Sequence, residues 1–178
     1  DHDAGLSAMG LAALIEMEDL GMAIDITHSA RPAIEDIMAA WRAGKLKKPI
    51  ISSHTGVQPY MPLVRALPNR YLTDVAMTGG LIGISYFKDK SRSMSVEEVA
   101  LTFRKVVDVL DEAGYNGIDH VGFGSDWDGV VKVPFDASEL VLLTSELRKP
   151  EYGFSDADIR KFAGDNLYRV LLKTLPEG

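Results

Sequence analysis

The chain reads as an α/β protein built on parallel strands, and more specifically as part of an eight-stranded (β/α)8 barrel. Two observations predict this. Short apolar segments alternate with longer segments of helical period, giving a strand followed by a helix four times over. That order implies parallel strands joined by helical crossovers, in an open α/β sheet or in part of a barrel. In addition, His28, His54 and Asp126 all come just past strand segments, where the chemistry of barrels gathers. Four strands cannot close a barrel, so the remaining four are expected from elsewhere.

The elements follow in order. Residues 7–20, "SAMGLAALIEMEDL", predict a helix with Leu11, Leu14, Ile15 and Met17 on one broad apolar side, stopped by Gly21. Residues 22–27 read as a short buried strand. Pro32 suits the first turn of the helix "AIEDIMAAWRAG", which Gly44 ends. "PIISS" at 49–53 is the second strand, leading to His54. The stretch 55–71 holds three prolines and no clean period, and reads as a loop with a short helix near Leu63–Leu67. "GGLIGISYF" at 79–87 is the third strand. "SVEEVALTFRKVVDVLDEAG" at 95–114 has the strongest helical pattern, with Ser95 and Glu98 placed for a capping box. "GIDHVGFGSDWDG" at 117–129 is the fourth strand, running into an acidic loop. Near the end, Ser155 and Asp158 predict a second capping box, with Phe154 and Ile159 as a staple. Gly164 is expected to stop that helix, and Asp165 to cap the last one.

Composition narrows the class. The 178 residues carry a net charge of −7, which argues against nucleic acid as the main partner. Lys45, Lys47 and Lys48 make only a small basic cluster in a loop. Cysteine is absent, which excludes disulfides and thiol chemistry in this stretch and fits a reducing compartment such as the cytoplasm. No apolar run is long enough to span a membrane, and no signal peptide is visible. The chain opens on "DHDAGLS", as expected of a processed product or part of a longer protein.

The polar constellation points to a metal. Two imidazoles at adjacent strand ends can converge on one transition-metal ion, and the crossover between them is long enough for one helix. Each alone reads equally as a strand-end hydrogen bonder. Asp126 is the better inward-facing carboxylate of "GSDWDG", placed to orient a metal-bound water or take its proton. Asp128, before Gly129, suits the turn. His120 lies within the fourth strand and reads as structural. His2 and Asp3 lack a fixed scaffold. Asp25, charged inside an apolar strand, orients a ligand histidine or binds backbone. Arg65 and Arg70 are the candidates for clamping a substrate carboxylate, against the alternative of solvent-facing arginines. "GFGSDWDG" lacks the strand–glycine–helix fingerprint of a dinucleotide site.

Taken together the motifs resemble the C-terminal half of the membrane (renal) dipeptidase family, peptidase family M19. "GLSAMGLAALIEMEDLGMAIDITHSA" is similar to its helix and first histidine-bearing strand end. "PIISSHT", "RYLTD", "GGLIGISYF", "HVGFGSDWDG" and "FSDADIRKFAGDNLYRVL" follow in the family's order. The resemblance implies a (β/α)8 metallo-hydrolase with two zinc ions and short peptides, usually dipeptides, as substrates. His28 and His54 match two ligands of one ion, and Asp126 the acidic residue that handles the attacking water. Arg70 matches the substrate-carboxylate arginine. Arg65 stays a rival because the loop after His54 is longer than usual. The family's first-strand histidine and aspartate, its bridging glutamate and a fourth-strand histidine are missing. Residues 1–178 are therefore expected to supply strands five to eight as one partial domain, completed by an N-terminal half on the same or another polypeptide, with higher oligomers left open. The rivals are another metal-dependent amidohydrolase and a noncatalytic structural or regulatory half-barrel.

Overall fold

A computed structural model describes residues 4–58, 66–89, 92–129 and 132–176. Helix α1 (Ala8–Asp19) begins at Ser7, whose hydroxyl accepts from the Gly10 amide. Gly21 follows it with φ 76°, a left-handed geometry that a β-carbon disfavours. Strand β1 (Ile24–Asp25) leads to α2 (Arg31–Arg42), which has Pro32 in its first turn. Strand β2 (Ile50–Thr55) leads to α3 (Asn69–Met77), and β3 (Leu81–Ile84) is buried along its whole length. A two-stranded antiparallel ribbon, β4 (Phe87–Asp89) with β5 (Arg92–Ser93), precedes α4 (Val96–Glu112). Strand β6 (Val121–Phe123) completes the main sheet. Helices α5 (Val141–Leu147), α6 (Asp156–Arg160) and α7 (Asn166–Thr174) close the chain.

The sheet order is β1-β2-β3-β6, with every neighbouring pair parallel. Spatial order therefore follows chain order without reversal. A doubly wound sheet reverses direction at a switch point; these four strands do not, and their winding resembles that of a barrel wall. One apolar cluster runs through it: Ile50, Ile82, Ile84 and Val121 from strands meet Met38, Leu72, Phe103 and Val107 from helices. Among the described residues no helix is long and apolar enough to cross a membrane.

Both predicted capping boxes form, at Ser95/Glu98 and Ser155/Asp158. Four expectations need correction. The short helix expected near Leu63–Leu67 lies mostly outside the described residues; of the loop expected over 55–71, Leu67 forms a parallel bridge with Val57 and Asn69–Tyr71 already belong to α3. Three prolines obscured its period; Pro68 simply precedes its first turn. The strand expected over 79–87 is two strands, because the Ser85 hydroxyl accepts the Phe87 amide and turns the chain out of the sheet. Residues Gly117–His120 form a 3-10 turn rather than strand, with the Gly117 amide held by Asp111 and the Asn116 side-chain amide bonded to Asp119.

The fourth correction concerns Gly164, which does not stop a helix. The chain continues from α6 through a π turn (Lys161–Asp165) into α7, and Asp165 makes no side-chain cap. The widened turn lets buried Asn166 donate to the carbonyls of Ile118 and Val121, both at 2.8 Å, tying the terminal helix to β6. Farther along, Arg169 donates to the carbonyls of Gly79 and Asp119 at 2.6 and 2.7 Å, where β3 and β6 begin. These bonds satisfy backbone acceptors at the entry end of the sheet.

Candidate metal centre

The opposite end of the sheet gathers three of the candidate site residues. His28 lies just past β1, His54 near the end of β2, and Asp126 three residues past β6. His54 is thus inside its strand rather than beyond it. The Nε2 atoms of His28 and His54 are 3.1 Å apart, with the rings edge to face at 4.9 Å between centroids. Asp126 Oδ1 lies 3.8 Å from His54 Nε2. The histidine side of the cluster is open, since His28 is exposed.

Backbone strain concentrates here. Among the described residues, the non-glycine positions with positive φ are His28 (65°), Asp126 (57°) and Asp128 (68°). Such angles cost free energy in L-residues and persist where surrounding structure enforces them, commonly at functional sites. At Asp128 the enforcement is visible: the Gly129 amide bonds back to the Asp126 carbonyl at 3.1 Å, closing a turn with Trp127 and Asp128 at its centre. Trp127 donates from Nε1 to the Phe135 carbonyl at 3.0 Å and packs against Tyr86. Asp128 is exposed.

A hydroxyl network supports His54. Its Nδ1 lies 3.1 Å from Ser53 Oγ, which donates to Thr27 Oγ1 at 3.4 Å; Thr27 Oγ1 is 3.2 Å from the buried Ser52 Oγ. Asp25 binds backbone, the second of its two sequence readings. Its Oδ1 accepts from the amides of Thr27 at 2.9 Å and Ser53 at 3.0 Å, bridging the ends of β1 and β2. Partial burial works to raise the Asp25 pKa, but hydrogen bonds from Ser53 and Thr27 outweigh it and hold the carboxyl below its usual range. Sequence reasoning passed over Ser53 and Thr27. The signal was present: each site histidine is flanked on both sides by a hydroxyl residue, "THS" and "SHT".

Other candidates fall elsewhere. His120 Nδ1 pairs with the Gly80 carbonyl at 3.1 Å, at the entry end of β6, and burial lowers its pKa. Arg70 sits in the first turn of α3 and joins Glu35 of α2 and the Tyr71 hydroxyl, with no hydrogen bond or ion pair to the histidines. Arg65, His2 and Asp3 lie outside the described residues.

Whether these donors suit a metal can be judged from spacing. Two nitrogens bound tetrahedrally to zinc at about 2.0–2.1 Å lie roughly 3.3 Å apart. The histidine pair is close to that separation, so it fits two positions of one ion. Among the described residues no group of three His, Cys, Asp or Glu side chains gathers tightly enough to hold a metal alone. The described residues offer part of a ligand set.

Residues 1–175 match the membrane dipeptidase family, peptidase family M19, over nearly the whole sequence. The chain belongs to family M19. Dipeptidase verJ of Clonostachys rogersoniana is 31% identical over 171 residues, covering 94% of this chain and 41% of that protein. A metallo peptidase from Rhodobacter sphaeroides, solved with a phosphinate mimic of the dipeptide L-Ala-D-Ala, superposes with a TM-score of 0.80 at 24% identity, over 96% of this chain and 47% of the other. The probable dipeptidase PvdM from Pseudomonas aeruginosa gives 0.77 at 23% identity, over 96% and 55%. These two likenesses establish a shared mixed α/β fold with a parallel sheet. This M19 chain spans about half the length of those relatives or less.

Proposed function

We propose that this chain is the C-terminal half, strands five to eight, of a (β/α)8 zinc-dependent dipeptidase, active when joined to the N-terminal half. The single observation that carries the reading is the His28–His54 pair, Nε2 to Nε2 at 3.1 Å at adjacent parallel strand ends, in a chain of family M19. His28 and His54 would hold one ion through Nε2, and the missing half would complete the ligands for it and a second. A bound zinc supplies Lewis-acid polarisation of the scissile carbonyl and a more acidic water. Asp126, facing His54, accepts the proton of the attacking water at its carboxylate and returns it to the leaving amine. Arg70 receives the C-terminal carboxylate of the dipeptide through its planar fork, exchanging Glu35 for substrate. Arg65 is the rival for that role.

Zinc content and dipeptide hydrolysis of the full-length protein test the reading. His28→Ala and His54→Ala are expected each to lower bound zinc and abolish turnover with the fold retained. Zinc retained at parent level in both variants would sink it. A second reading, a noncatalytic half-barrel that binds a partner, goes with the two-histidine ligand set found among the described residues. Full-length protein that assembles but binds no metal would select it.

A further inference from the structure

We infer that Ser53 is a positioning residue for metal capture, holding His54 in the tautomer whose Nε2 lone pair is free. The inference rests on the reading of His54 as a ligand and adds how the chain prepares it. A neutral imidazole carries one N–H, so whichever atom faces Nδ1 decides what Nε2 presents. Ser53 Oγ gives its hydrogen to Thr27 Oγ1 at 3.4 Å, leaving a lone pair toward His54 Nδ1 at 3.1 Å. Nδ1 therefore keeps the hydrogen, and Nε2 is the acceptor that faces His28.

Two further features show that the arrangement is built. Adjacent side chains on a regular strand point to opposite faces, so Ser53 and His54 would ordinarily diverge. Between Ser52 and Thr55, however, the β2–β3 register slips. Such an irregularity re-aims side chains, and here it coincides with the serine hydroxyl reaching the histidine ring. Asp25 then pins both participating strand ends by accepting the Thr27 and Ser53 amides. The hydroxyl chain ends on Ser52, which is wholly buried.

The test uses metal-free full-length protein, titrated with Zn2+ against a chromophoric chelator, with the His54 tautomer read from imidazole nitrogen NMR shifts. In the parent protein Nδ1 is protonated. Ser53→Ala is expected to weaken zinc binding about 10–100-fold and to mix the tautomers, without moving the melting temperature of the metal-free protein. Ser53→Thr, which keeps the hydroxyl, restores affinity to within about threefold. Zinc affinity within twofold of the parent in Ser53→Ala, or an unchanged tautomer, overturns the inference. If Ser53→Ala fails to fold, Thr27→Val carries the test: loss of affinity in the same direction supports the relay, and none overturns it. His54→Ala separates the two readings. If it binds zinc as the parent does, the ligand assignment fails, while the parent's tautomer still scores the hydroxyl relay.

Discussion

Asp126 and Asp128 have the same chemistry and the same left-handed backbone, yet only Asp126 Oδ1 comes within 3.8 Å of His54 Nε2. Position on the turn separates them. Asp126→Asn is therefore expected to reduce dipeptide turnover of the full-length protein by about 100-fold or more, the usual range for losing a general acid–base group. Asp128→Asn is expected to stay within about threefold on the same scale. Equal losses in steady-state kinetics, with folding intact by circular dichroism, would count against the division. Asp25 makes a different prediction. Its folded pKa is depressed, so its stabilisation is fully present above the unfolded value, about 3.9, and disappears as pH falls through the lower folded value. Urea midpoints of the parent and Asp25→Asn should differ by a constant amount above about pH 5 and converge below about pH 4. A gap that does not narrow as pH falls below about 4 would contradict the assignment of Asp25 as an ionised backbone clamp.

Glycines distinguish elements that must pack closely from those that merely continue. A β-carbon on Gly83 of β3 would lie 2.0 Å from the Ser53 carbonyl oxygen, so β2 and β3 approach at the histidine-bearing end only because the side chain is absent. Gly83→Ala is expected to cost about 1–3 kcal/mol, as overpacking does, and to disturb His54 through its neighbour Ser53. Gly164 lies in the π turn, where an added β-carbon would meet nothing within 4 Å and φ is not positive. Gly164→Ala should therefore stabilise by about 0.5–1 kcal/mol, the helical preference of alanine over glycine. Chemical denaturation of both variants decides the pair; a destabilised Gly164→Ala would mean the turn needs glycine after all.

At the scale of the whole molecule, β1 and β6 each pair on one side only within the described sheet, and unpaired parallel edges invite association. Leu20 and Met22 near β1, and Tyr168, Leu172 and Leu175 on and after α7, are large exposed apolar side chains. The proposed N-terminal half would cover the sheet edges and bring the rest of the metal ligands. Co-expression of that half with this chain is expected to yield a soluble complex with dipeptidase activity, while this chain alone hydrolyses no dipeptide. Turnover by the 178-residue chain without another polypeptide would overturn the proposal.

Sequence by itself determined the local rules and the order of elements. Ser95 with Glu98 and Ser155 with Asp158 cap helices because capping needs only residues three apart, and the alternation of apolar runs sufficed for a parallel sheet. That His28, His54 and Asp126 gather at one end of the sheet was legible for the same reason, since strand ends are read from local pattern. Tertiary structure decided what depends on partners distant in the chain. Asn166 reaches Ile118 and Val121 across more than forty residues, which is why a π turn replaces the expected break at Gly164. Arg70 meets Glu35 rather than the histidines because α2 and α3 lie side by side. The Ser53–Thr27 relay exists only once β1 and β2 pair, because a hydrogen bond between residues 26 apart in sequence needs the sheet to bring them within reach.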